Sequence, residues 1–74
     1  MNNKRRKQIG LAIGKIEEAS NILQEVLDEE EEAFDNMPEN LQGSIRGEES
    51  QEAIDLLGSS IDSMEELINE LETI

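Results

Sequence analysis

The sequence predicts an all-α protein, an antiparallel helical hairpin that dimerises into a four-helix bundle. Three observations carry this expectation. Apolar residues recur at helical spacing in both halves of the chain, the connection between the halves holds the only Pro, and the 74 residues include neither Cys nor His. A chain this short buries only roughly 60% of its unfolded surface, and below that limit disulfides, metals or self-association usually complete the fold. Without Cys or His, self-association is the support that remains.

The first helix is expected over about residues 3–35, with Asn3 as N-cap. Ile9, Ile16 and Leu23 form one column of sevens, Ala12, Ala19, Val26 and Ala33 a second, and Ile13, Leu27 and Phe34 a third, with Glu30 and Ser20 as polar exceptions. Three columns in seven make a stripe wider than a two-stranded seam and match the face of a bundle helix. Runs such as "IEEAS" keep the i, i+3, i+4, i+7 pattern and break strand alternation.

The connection is expected over about residues 36–47, with a short helical turn at 38–42 that has Pro38 at its first position. Pro38 cannot extend the first helix and restricts Met37 to extended geometry. Gly43 and Gly47 supply backbone freedom around a second turn, while Met37, Leu41 and Ile45 are spaced to fold as a lid over Phe34. Arg46 falls near Glu30 in this arrangement.

The second helix is expected over about residues 48–73, with an earlier start capped by Ser44 as the alternative. Its columns are Ile54, Ile61 and Ile68, then Leu57, Met64 and Leu71, then Ala53, Leu67 and Ile74 interrupted by Ser60. Reversal of the chain places Leu27 near Leu57, Ser20 near Met64 and Ile13 near Leu71. The oligomer core is therefore expected to hold Ile9, Ile13, Ile16, Leu23, Val26, Leu27 and Phe34 against Ile54, Leu57, Ile61, Met64, Ile68 and Leu71. Gly10, Gly14 and Gly58 lie inside the helices and either fray them or permit close packing, at a cost of about 1 kcal/mol each relative to Ala.

Net charge is −13, from 19 acidic and 6 basic side chains, and four of the bases stand in "KRRK" at Lys4–Lys7. Residues 17–35 carry nine acids and no base, as do residues 48–74. A surface of this kind repels nucleic-acid phosphates and anionic lipid and favours basic protein surfaces. The basic start is expected to lie beside Glu70, Glu72 and the C-terminal end of the hairpin. No window has the run of about 18 apolar residues that a membrane span requires, and the chain is read as cytoplasmic with no membrane partner.

Catalytic chemistry is not indicated. Without His, Cys or Tyr the usual bases and nucleophiles reduce to Ser, Thr, Lys and carboxylates, and Ser59 and Ser60 have no base at helical spacing. Carboxylate pairs such as Glu31 with Asp35 and Glu66 with Glu70 fit neither the Glu-x-x-His pattern of di-iron bundles nor EF-hand spacing. No phosphate loop or aromatic platform for bases is present. The expectation is a non-enzymatic protein without cofactor or metal.

The stretch "AFDNMPENLQGSIRGEE", followed by "AID.L..SIDS.EELI.EL", resembles short acidic helical proteins of phages and mobile elements of Gram-positive bacteria. The resemblance covers about residues 29–74 and implies a small helical accessory protein in a bacterial host cell. Together with the charge pattern it leads to a binding protein that inhibits or modulates a basic, nucleic-acid-binding partner by mimicry, without binding nucleic acid itself. A self-assembling structural module is the alternative. The expected partner-binding residues are Glu18, Glu25, Asp28 and Glu32 on the first helix and Asn36, Glu39, Asn40, Gln42 and Arg46 in the connection.

Overall fold

A computed structural model describes all 74 residues and shows three helices and no strand: α1 (Asn3–Asp35), α2 (Glu39–Gln42) and α3 (Ile45–Glu72). Asn2, one residue earlier than expected, is the N-cap of α1, its side chain accepting a 2.9 Å hydrogen bond from the Arg5 amide. Pro38 stands before α2 rather than inside it, and its carbonyl accepts from the amides of Leu41 and Gln42 at 2.8 and 3.1 Å.

α3 begins at Ile45, the earlier, Ser44-led start rather than position 48, because Gly47 takes helical geometry and no glycine in the chain has a positive φ. Gly47 serves close approach instead of turning. A Cβ at this position would stand 2.0 Å from the Gln42 carbonyl oxygen, so only glycine lets α2 rest on the first turn of α3. Ser44 precedes α3 as expected, but its hydroxyl donates back to the Leu41 carbonyl and caps no amide of the helix.

α3 runs back along α1. Ser50, early in α3, bonds Glu30, late in α1, while Leu71 and Ile74 share a cleft with Ile9 and Ile13 at the other end. The pair is long and thin, 58 × 15 × 13 Å. Its seam in α1 is Ile9, Ile13, Ile16, Ser20, Leu23, Leu27, Glu30 and Phe34, stepping alternately by four and three. The facing seam in α3 is Gly47, Ser50, Ile54, Leu57, Ile61, Met64, Ile68 and Leu71, stepping by three and four. All are buried or half-buried, and the mean step of 3.5 residues is that of a two-stranded coiled coil.

The expected three-column face is therefore split within one chain. Two columns enter the seam, whereas the third is left largely in solvent in the single chain: Val26, expected in the oligomer core, is 44% exposed and Leu67 is 42% exposed. Ile61 and Ile68 are the only buried apolar residues. The expected lid is also corrected: Met37 is half-buried, but Leu41 and Ile45 are exposed, since the early start of α3 turns Ile45 away from Phe34. Close packing at Gly10, Gly14 and Gly58 is absent, as a Cβ at each would meet nothing within 4 Å.

Two substitutions separate these roles. Gly14→Ala should stabilise the chain by about 0.5–1 kcal/mol, because it gains helix propensity without a clash. Gly47→Ala should lower the melting temperature, because the backbone of Gln42 must move. Thermal melts followed by circular dichroism at fixed concentration check both signs.

Candidate functional site

The seam sorts the remaining residues into two broad sides by a simple rule of helix geometry. A residue following a seam residue is rotated about 100° to one side, and a residue preceding it about 100° to the other. In an antiparallel pair the same sense of rotation brings the following residues of both helices to one common side. Glu31 and Asp35 of α1 accordingly share a cleft with Gln51 of α3, and Gly10 shares one with Glu72.

That side holds the carboxylates of Glu17, Asp28, Glu31, Asp35, Glu48, Asp55, Asp62, Glu65 and Glu72. It carries one base, Lys7, and no large apolar side chain. All nine acids are exposed. Gln24 and Gln51 donate to Asp28 and Asp55 at 3.0 and 3.1 Å, which fixes two of the carboxylates. Glu18, Glu25 and Glu32 run at seven-residue spacing down the outer ridge of α1, each step being about 10 Å along the axis.

The structure thus places the expected helix residues Glu18, Glu25 and Glu32 on the ridge and Asp28 on the adjoining acidic side. The carboxylates of α3 were not among the expected binding residues. Their position immediately after a seam residue is the signal that finds them, once the seam is drawn in steps of four and three.

The connection divides differently. Asn36, Glu39, Asn40 and Arg46 are exposed at one end of the molecule. Gln42 is half-buried, and its amide donates 3.2 Å bonds to the carbonyls of Phe34 and Met37. It closes the end of α1, so it belongs to the framework more than to a free recognition loop. Glu30 takes its bond from Ser50 rather than standing with Arg46: the Ser50 hydroxyl, 5% exposed, donates at 2.6 Å to the Glu30 carboxylate. Sequence reasoning saw Glu30 as an exception but gave Ser50 no role. At the far end Arg6 and Glu72 line one cleft, which puts the basic start beside the acidic end of α3.

No group of three or more His, Cys, Asp or Glu side chains is arranged to hold a metal ion. No helix is long and apolar enough to cross a membrane. The fold and its charged side define an all-helical, strongly acidic chain. No family model matches the chain, and no curated protein or solved structure matches it.

Replacing Gln42 by Ala leaves the Phe34 and Met37 carbonyls without this donor and should cost about 1–2 kcal/mol. Asn40→Ala at the neighbouring exposed position should stay within about 0.5 kcal/mol of the parent. Denaturant titrations of the two variants compare them directly.

Proposed function

We propose that this chain is a small acidic binding protein without enzymatic activity that acts as a homodimer. In this reading each copy is a helical hairpin, two hairpins close a four-helix bundle, and the acidic sides remain outward to dock on a basic protein surface. The partner is a protein whose groove normally receives nucleic-acid phosphates, and occupation of that groove inhibits or modulates it. The resemblance of the connection to small proteins of phages and mobile elements makes a bacterial cytoplasm the proposed setting and a host or phage protein the proposed target.

One observation carries the proposal: nine carboxylates and a single base share one side that has no large apolar residue. Structural stability alone does not call for such segregation, because crowded like charges oppose folding. A field built from many carboxylates steers a basic partner over a Debye length of about 8–10 Å and sets the association rate. The exposed polar residues of the connection, Asn36, Glu39 and Asn40, then select among basic surfaces by short-range contact.

Capture from a bacterial lysate on immobilised protein tests the proposal. A partner should be retained at low salt and released by either raised salt or added duplex DNA. Conversion of Glu18, Glu25, Asp28 and Glu32 to Gln should weaken capture by roughly tenfold or more while the helical signal is kept. Retention indifferent to salt, DNA and these substitutions would refute mimicry, and an absence of any partner would leave the self-assembling module. The same crowding predicts that added sodium chloride raises the melting temperature, since screening weakens repulsion among the acids.

A further inference from the structure

The residues that precede the seam make up the second broad side, and it differs from the acidic side in both charge and apolar content. Ile22, Val26, Leu56 and Leu67 are between 42 and 66% exposed, and all lie there. Its charges balance: Arg5, Lys15 and Arg46 stand against Glu29, Glu49 and Glu70. The net charge of −13 therefore resides on the acidic side, the outer ridges and the connection.

We infer that this balanced apolar side is the surface on which a second copy of the chain packs. The inference rests on the dimer proposed above and assigns its interface. Three features select a second copy as the occupant. The first is charge: two molecules of the same strongly acidic protein approach most easily through the one side where their own fields cancel. A basic foreign partner is drawn to the opposite side.

The second feature is area. A side 58 Å long and 15 Å wide presents on the order of 870 Å² in projection, close to the roughly 800 Å² per partner of a stable interface. The third is relief. In the register set by Ile13 beside Leu71, Ala19 falls beside Leu67 and Val26 beside Ser60. Large and small residues thus alternate along the side, and a copy related by a two-fold axis can set its projections into the hollows. The exposed third column of each helix becomes the inside of the bundle, which completes a core that has only two buried apolar residues in the single chain.

The native chain has no cysteine, so single-cysteine variants report each side separately. Val26→Cys and Leu67→Cys probe the balanced side, and Gln24→Cys and Asp55→Cys probe the acidic side; all four positions are exposed in the single chain. Alkylation by N-ethylmaleimide is followed at a protein concentration where sedimentation equilibrium gives the oligomeric state, each rate being referred to the same variant in urea. A dimer in which Val26→Cys and Leu67→Cys react at least roughly tenfold more slowly, while Gln24→Cys and Asp55→Cys do not, is the expected result. A dimer protected on the acidic side, or on neither side, overturns the interface and leaves the dimer standing. A folded monomer of 8.3 kDa with all four thiols reactive overturns the interface and the dimer together.

Discussion

Everything else in this protein depends on the constraint that α1 steps by four and three residues where α3 steps by three and four. A mean repeat of 3.5 keeps both seams in register over the full length of the pair, so each helix presents one narrow line to the other. Fixing that line also fixes what stands beside it. Residues after the seam are acids, amides, glycines and one lysine, whereas residues before it are mostly alanines, serines and larger aliphatics with a few compensating charges. A shift of one position in sequence thus separates the acidic side from the charge-balanced one.

The seam is itself economical in apolar contacts. Ser20 and Glu30 interrupt it on α1, and Gly47 and Ser50 interrupt it on α3. The Glu30 and Ser50 pair meets by a 2.6 Å hydrogen bond, with Ser50 nearly inaccessible. A polar pair inside an otherwise apolar line contributes less to stability than aliphatic packing would, but it penalises every register that separates the two. Sliding α3 by one heptad brings Ser50 opposite an apolar neighbour and strands its hydroxyl. Together with the contact of Gly47 on Gln42, this ties the register to the loop end of the molecule, where chain reversal also sets it.

Much of this arrangement was legible in the sequence, and the parts that were not share a cause. The span of α1 and most of α3 followed from period and from Pro38, since those signals are local. The start of α3 stays open between Ser44 and the residue after Gly47 because Gly47 looks like a turn residue, and only its closeness to Gln42 shows why a glycine is needed in a helix there. Periodicity counts three apolar columns without saying which two face the partner helix, so it does not separate Val26, exposed in the single chain, from the seam residues. Ser50 was passed over because a small hydroxyl gains significance only from the carboxylate opposite it. Within the candidate site, Glu18, Glu25 and Glu32 were visible as a row of sevens, while the α3 acids became a surface only when the seam joined them to those of α1.

The interior glycines bear on why the acidic side is built as it is. Gly10, Gly14 and Gly58 all follow seam residues, so all three lie on that side, and a side chain at each would meet open space. Together they cost about 3 kcal/mol of helix propensity, a large fraction of the stability of a small domain, with no packing return inside the chain. Departures from local preference that bring no internal gain concentrate at functional sites. Under the proposed function their effect is to thin the helix surface between the carboxylates, so that an arginine or lysine reaching toward Glu17 or Glu65 meets less side-chain bulk on the way. The surface on which helix propensity is sacrificed is thus the surface on which charge is concentrated. Both departures oppose folding, and under the proposed function the common consequence that relates them is access for a cationic partner.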